Sequence, residues 1–346
     1  MSDIRPDSTP EQLRIERDNQ IHLFGQKYLS GPNQDLYEEI LVTVCRMAKD
    51  QASRQDAKML NRAMAELRYA FKIFAPYRDI RKISIFGSAR TPEDHPNYLA
   101  AVEFSRRMGL QNWMIITGAG DGIMKAGHGG AGREASFGVA IRLPFEQKTN
   151  EFIAEDAKLV NFRYFFTRKL MFLKEASAVA LFPGGFGTQD EGFEVLTLVQ
   201  TGKSAMVPIV MIEEPGGTYW AHWKRYVVTE LLSAGLISEP DLSLFRITDN
   251  VDQAMHEVIN FYRVFHSLRY VGDRLVLRLN HAPSPELIEK LNDLNSEIVS
   301  KGRIESTGPL AEEGGEYVEK PRLTFIFDRR NHGVLRRMID MLNAEA

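Results

Sequence analysis

The stretch from Phe182 to Glu191 combines glycines, a threonine and carboxylates in a pattern suited to a phosphate and a sugar. A short apolar run, Ala178 to Phe182, precedes it, and apolar residues at helical spacing follow it. A strand, a glycine-rich turn and a helix N-terminus in this order form an anion site, because the backbone can approach a ligand and free N–H groups favour phosphate. We therefore predict that the turn Gly184–Thr188 binds phosphate.

Acidic residues follow this turn directly. Glu191 and Glu194 share a helix face, and with Asp190 they concentrate negative charge beside the predicted phosphate site. This makes sense for a nucleoside monophosphate whose phosphate meets the glycines while its ribose meets a carboxylate. Glycosidic cleavage passes through an oxocarbenium-like transition state, which a carboxylate stabilises. The same group could hold the ribose hydroxyls or orient the attacking water.

A basic pair, Arg168 and Lys169, lies on the predicted helix from Tyr164 to Ala176, just upstream of the apolar run. The other residues of this helix are mostly apolar, so we expect the helix to be mostly buried. Burying an arginine is costly unless it meets a carboxylate or a ligand anion. The pair is therefore a candidate part of the site.

A second glycine-rich loop, Gly118–Gly122, follows a predicted strand that ends at Thr117. Its spacing does not fit a dinucleotide fingerprint, in which the third glycine would fall at Ile123. The next strand, Phe137 to Leu143, carries Arg142 where a ribose-binding acid is expected. We expect phosphate or ribose contacts from Gly118 and Gly120, and an NADP-dependent enzyme using this loop and Arg142 is the weaker alternative.

These residues need a scaffold in which strands and helices alternate. We predict strands at Ile83–Phe86, Trp113–Thr117, Phe137–Leu143, Ala157–Asn161, Ala178–Phe182 and Val207–Ile212. Such alternation predicts an α/β fold, a Rossmann-like doubly wound parallel sheet with helices on both faces. Ligands of these sheets bind beyond the carboxyl ends of the strands, so the glycine-rich turns should converge on one pocket.

Flanking regions extend this core on both sides. We predict an N-terminal helical extension over 1–80, partly irregular up to about residue 35, the core over 81–264, and a small C-terminal α+β domain over 265–346. The chain of 346 residues is 44% hydrophobic, with a net charge of −3 and a single cysteine. These values favour a cytoplasmic protein without nucleic-acid or membrane partners. The histidines are scattered, so no metal site is predicted.

The string Pro183–Glu191 matches the P-G-G-x-G-T-x-x-E signature of the LOG ("Lonely guy") family, once labelled lysine decarboxylases. The resemblance extends to Arg168-Lys169, to Phe86-Gly87-Ser88 and to Thr117–Met124, and covers roughly residues 80–262. It implies a Rossmann-like, usually dimeric enzyme that hydrolyses nucleoside 5′-monophosphates to the free base and ribose 5-phosphate. No motif for pyridoxal phosphate is present, so the decarboxylase label is rejected.

The resemblance also implies roles for single residues. Arg168 and Glu191 correspond to the catalytic pair. The residues expected to bind substrate are Ser88, Gly118, Gly120, Lys169, Gly184, Gly185, Gly187 and Thr188. Two departures concern base preference: Phe165 and Phe166 replace a Met-His pair of plant-type members, and Ala119 replaces the middle glycine of the usual Gly-Gly-Gly turn.

The resulting hypothesis is a homodimeric or larger phosphoribohydrolase without metal or organic cofactor. A purine nucleotide such as AMP is the first substrate to test, and a cytokinin riboside monophosphate is another. The alternative from a different class is a non-catalytic nucleotide or molybdenum-cofactor carrier with the same fold.

Overall fold

The computed structural model describes residues 9–29, 31–142 and 149–345. These residues group into two compact units, one ending at Ala65 and one beginning at Glu66. The domain boundaries predicted at 80/81 and 264/265 stay predictions. Leu143, the predicted end of the third strand, lies outside the described residues.

The described residues form helices and strands that alternate over the middle of the chain. The helices α1–α11 are Pro10–Tyr28, Gln34–Lys49, Arg54–Phe74, Pro96–Leu110, Ile123–Ala131, Phe165–Lys174, Phe186–Gln200, Tyr219–Tyr226, Val251–Phe261, Pro285–Leu294 and His332–Glu345. The strands β1–β11 are Lys82–Phe86, Met114–Thr117, Ser136–Ile141, Leu159–Phe162, Ala178–Leu181, Ile209–Ile212, Arg246–Thr248, Phe265–Val271, Arg274–Leu279, Val299–Thr307 and Arg322–Phe327.

Strands β1–β7 form a parallel sheet in the order β4-β3-β2-β1-β5-β6-β7. Its inner strands are continuous apolar runs because helices cover both faces; every residue of β5, for example, is buried. The chain moves outward from β1 to β4 and then returns to place β5 on the other side of β1. The predicted Rossmann-like doubly wound fold is therefore confirmed, with its switch point between β1 and β5.

Strands β8–β11 form an antiparallel sheet in the order β10-β11-β9-β8. Helices α10 and α11 share one apolar core with these strands, which confirms the predicted α+β character of this region. Two buried arginines, Arg278 on β9 and Arg322 on β11, meet the carboxylate of Glu313. Glu313 ends the short 3₁₀ turn Ala311–Glu313 between β10 and β11.

Within the segment 1–35, for which partly irregular structure is expected, the described residues include one regular helix. Helix α1 runs from Pro10 to Tyr28, because proline is tolerated in the first turn and Thr9 caps the helix. Thr9 and Gln12 form a reciprocal capping box, which the prolines of the segment obscured in the sequence. Within the described residues, no helix has the length and apolar character needed to cross a membrane.

Candidate active site

A cavity of about 700 Å³ opens at the carboxyl ends of β1 and β5. The loop after β1 and the turn after β5 with the start of α7 line it, together with four residues from other elements: Gly118, Met124, Phe165 and Arg168. Of the sequence-predicted site residues, the cavity brings together Ser88, Gly118, Arg168, Gly184, Gly185, Gly187, Thr188 and Glu191. Gly120 and Lys169 lie outside its lining.

The turn after β5 leaves backbone donors open at the start of α7. Gly185 precedes the helix and provides no side-chain cap. Among the described residues, the amides of Phe186 and Gly187 have no hydrogen-bond acceptor. Open space lies where side chains at Gly185 and Gly187 would project. Uncapped amides at the positive end of a helix dipole form a site for an anion.

Neighbouring elements hold this turn in place. The amide of Ser88 donates to the Pro183 carbonyl at 3.1 Å. The Tyr219 hydroxyl, on α8, donates to the Gly184 carbonyl at 2.5 Å. Only glycine fits at 184, because a Cβ there would lie 2.2 Å from Thr188 Oγ1. The anion site is therefore preorganised by contacts from β1 and α8.

Glu191 reaches the cavity from the second turn of α7. Its side chain is buried, and within the described part of the chain its Oε2 has no hydrogen-bond partner. Burial raises the pKa of Glu191 to about 7, against the opposing effect of Lys169 and Arg168. A buried carboxylate oxygen without a donor is costly, and Lys169 Nζ, 3.8 Å from Oε2, is too far away to donate a hydrogen bond.

Lys169 contacts carboxylates instead of the cavity. Its Nζ lies 2.8 Å from Asp190 and 2.5 Å from Glu194, and 3.8 Å from Glu191 Oε2. Although burial disfavours its charge, hydrogen bonds to Asp190 and Glu194 raise the pKa of Lys169. The ammonium compensates the acidic face of α7; its predicted role in substrate binding stays a prediction.

Arg168 enters the cavity from α6. Its Nε donates to the Val139 carbonyl at 2.9 Å, and its guanidinium lies 4.9 Å from the centre of the Phe172 ring. Burial lowers the pKa of Arg168, and it makes no ion pair within the residues that the structure describes. Gly118 leaves room for it, since a Cβ there would lie 2.6 Å from Nη2 and would displace the guanidinium. Arg168 is thus a half-buried cation that lines the ligand space.

Helix α6 is less buried than its composition predicts. Thr167, Met171 and Phe172 are buried, whereas Phe165, Phe166 and Leu170 are about half exposed. The expectation of a mostly buried helix is therefore wrong, because both faces of this helix are apolar and only one packs on the core. Phe165 lines the cavity.

The loop Gly118–Gly122 adopts a conformation that suits glycine, yet Ala119 has φ +64°. Its methyl group packs with Ala140 and Ile153, which offsets the backbone strain. Asn150 holds this loop with two hydrogen bonds. Its backbone N–H donates to the Ala119 carbonyl at 3.0 Å, and its side-chain Nδ2 donates to the Gly120 carbonyl at 2.9 Å.

Sequence reasoning missed two contributors to the site. Arg90 lines the cavity on the loop after β1, is exposed, and has no ion-pair partner in the described ranges. The sequence does contain a signal for Arg90, because a cation shortly after a strand whose carboxyl end faces the site is a candidate ligand contact. Tyr219 packs against the hydrophobic core, and its hydroxyl also supports the turn after β5; no local pattern indicates that contact.

A family model matches the middle of the chain. Residues 120–258 match the family model described as "Possible lysine decarboxylase", the earlier label of the LOG-type domain, which confirms the resemblance for this stretch. No curated protein matches the chain.

Solved structures similar to this chain include the protein TM1055, at 19% identity over 51% of this chain and 97% of that one, with a TM-score of 0.38. The Moco carrier protein from Chlamydomonas reinhardtii is 18% identical over 52% of this chain and 96% of its own, with a TM-score of 0.36. The molybdenum cofactor binding protein from Rippkaea orientalis is 15% identical over 51% and 93%, with a TM-score of 0.35.

Proposed function

Because residues 120–258 carry a LOG-type domain, we propose that this protein is a nucleoside 5′-monophosphate phosphoribohydrolase. It would cleave the N-glycosidic bond to give a free base and ribose 5-phosphate. The observation that carries the proposal is that Glu191 lines the same cavity as the uncapped start of α7. Backbone donors for a phosphate and a carboxylate acceptor for a sugar hydroxyl at one site match a nucleotide better than a simple anion.

Each part of the substrate has a corresponding group. The phosphate would accept from the amides of Phe186 and Gly187, and Arg90 stands beside it as a further donor. A ribose hydroxyl would donate to Glu191. The base would lie against exposed aromatic rings at the cavity, Phe165 and Phe186.

The reaction then follows from charge development. As the C1′–N bond breaks, positive charge grows on the sugar, and ionised Glu191 stabilises it. Arg168 would orient Glu191 and the sugar and assist the departing base. A water oxygen bonds to C1′, and the proton released from this water completes the base nitrogen.

A product assay over a panel of nucleoside monophosphates tests the proposal, with AMP first. We expect release of free base and ribose 5-phosphate, detected by chromatography. Stoichiometric binding of a nucleotide or of molybdenum cofactor without turnover would contradict the enzyme hypothesis and favour the carrier alternative. Calorimetric binding of NADP in place of a monophosphate would favour the dehydrogenase alternative.

The pH profile of kcat/KM should rise through an apparent pKa of about 7, because Glu191 acts in its ionised form and its pKa is about 7. Lys169 lowers that pKa, so Lys169→Met should move the rising limb to higher pH. The second ionisation of the substrate phosphate, near pKa ~6, is the same for both enzymes. Lys174→Met, on the exposed part of α6, is the control and should leave the profile in place. A profile that falls through pH ~7 would show that protonated Glu191 is the active form.

A further inference from the structure

Helix α6 carries Arg168 but begins without a cap of its own. Tyr164 occupies the N-cap position and makes no side-chain capping bond. The first turn of a helix needs acceptors for its free N–H groups, and Ser, Thr, Asp or Asn usually supplies one locally. Residues on both sides of this start are, in addition, held by another part of the chain.

Glu66, on α3, holds both sides of this start. Its Oε1 accepts from the Arg163 amide at 2.9 Å, and its Oε2 accepts from the Thr167 hydroxyl at 2.8 Å. Glu66 is 5% exposed and Thr167 is fully buried. A carboxylate at the N-terminus of a helix is also favoured by the helix dipole.

These two bonds fix the helix at the residue next to Arg168. Thr167 immediately precedes Arg168, and its hydroxyl is also 3.0 Å from the Tyr164 carbonyl. With Thr167 held from α3 and the Arg168 Nε held by the Val139 carbonyl, α6 can neither rotate nor slide without breaking a buried hydrogen bond. The guanidinium is thereby kept beside Gly118 and the ligand space.

A purely structural cap explains this arrangement less well. Neither bond of Glu66 satisfies a free N–H of the first turn, because the Arg163 amide precedes the helix and Thr167 donates through its hydroxyl. The contact therefore takes a carboxylate out of water without capping the helix. A displacement of about 1 Å in a reacting group can reduce turnover about 10²-fold, so a rigid grip next to Arg168 has a direct use.

We propose that Glu66 is a positioning residue, which sets the orientation of Arg168 through the Thr167 hydroxyl and the start of α6. The inference rests on the proposed function for its effect on turnover. Glu66 lies outside residues 120–258, so a residue before the LOG-type domain completes the site of that domain.

Glu66→Ala removes both bonds, and Glu66→Gln keeps them, because its oxygen accepts from the Arg163 amide and its amide donates to Thr167 Oγ1. We expect Glu66→Ala to lower kcat about 10- to 100-fold, with KM for AMP within about threefold of wild type, since the phosphate turn on α7 is untouched. Glu66→Gln should recover most of kcat. Arg68→Ala, an exposed change on the same helix, is the control and should match wild type.

Thr167→Val serves as a second variant if Glu66→Ala folds poorly, since it removes one bond at constant shape; Thr167→Ser should restore activity. Hydrogen–deuterium exchange at the start of α6 should accelerate in Glu66→Ala and Thr167→Val but not in Glu66→Gln or Arg68→Ala. The exchange measurement does not depend on turnover. It therefore still tests whether Glu66 holds the start of α6 if wild type hydrolyses no nucleotide and the proposed function fails. Folded Glu66→Ala with wild-type exchange at α6, or with wild-type kcat in an active enzyme, would overturn the inference.

Discussion

Glu191→Gln should lower kcat for nucleoside monophosphate hydrolysis by about 10²- to 10⁴-fold while AMP still binds. Glutamine keeps the shape of the side chain and an oxygen for the ribose hydroxyl, but it cannot supply negative charge opposite a developing oxocarbenium ion. The loss should therefore appear in kcat, with little change in the affinity for ribose 5-phosphate. Single-turnover base release and product binding by calorimetry measure the two quantities separately.

Glu194→Gln is the matched control, because Glu194 lies on the same helix and contacts Lys169 but does not line the cavity. Its effect on kcat should be less than about tenfold, as expected for a change in a neighbouring charge at the surface. Equal losses in both variants would mean that the acidic cluster as a whole matters, and that Glu191 has no individual role in the reaction.

The stability of Glu191→Gln offers an independent check. Because the pKa of Glu191 is raised from 4.5 to about 7, its carboxyl group favours folding in the neutral form. The free energy of unfolding of wild type should then fall as pH rises from about 4.5 to about 7, whereas glutamine does not titrate. At pH ~8 the variant should be more stable by up to about 3 kcal/mol. A variant that loses turnover and gains stability is typical of a strained functional group.

The phosphate half of the site could be predicted because it is local. A strand, three glycines and a helix start follow one another in Ala178–Glu191, and each has a backbone consequence that does not depend on distant residues. The parallel sheet was equally accessible, since alternating apolar runs and helices leave few topologies. Convergence of the loops after β1 and β5 then follows from the switch point between these strands.

The supports of the site could not be predicted, because they depend on tertiary contacts. Glu66 meets Thr167 across a sequence separation of 101 residues, and Tyr219 reaches the Gly184 carbonyl from α8. The local sequence around each of these two residues is that of an ordinary helix and does not indicate the contact. The exposed face of α6 was missed for a related reason: Phe165 and Phe172 are equally apolar, and only packing decides which is buried.

The two ends of the site differ in their electrostatics. The turn before α7 presents bare amides, whereas Arg168 and Glu191 carry ionisable groups whose pKa values burial moves toward neutrality. Lys169 prevents the acidic face of α7 from raising the pKa of Glu191 still further. The site can therefore hold an anion at one end and keep a carboxylate near its ionisation point at the other.

The second large effect concerns stability, far from the cavity. Glu313→Ala should lower the free energy of unfolding by about 3–5 kcal/mol, because it leaves Arg278 and Arg322 buried without their counter-ion. Both guanidinium groups contact Glu313 at 2.7 Å, and the three side chains are at most 5% exposed. Although burial favours the neutral acid, hydrogen bonds from Arg322, the Leu310 amide and Arg278 lower the pKa of Glu313 to about 2.

Glu316→Ala is the matched control for Glu313→Ala, since this nearby carboxylate pairs with Arg269 and Arg278 but is 59% exposed. An exposed pair contributes about 0–1 kcal/mol, so urea unfolding should separate the two variants clearly. Hydrogen exchange along β9 and β11 should locate the loss in Glu313→Ala.

The stabilisation by Glu313 should depend on pH in a fixed direction. Because its pKa is depressed, Glu313 stabilises the fold above about pH 4.5, and this stabilisation disappears as pH falls toward 2. The difference between wild type and Glu313→Ala should therefore shrink in acid. Equal unfolding free energies for the two alanine variants at neutral pH would show that solvent, and not Glu313, balances the arginines.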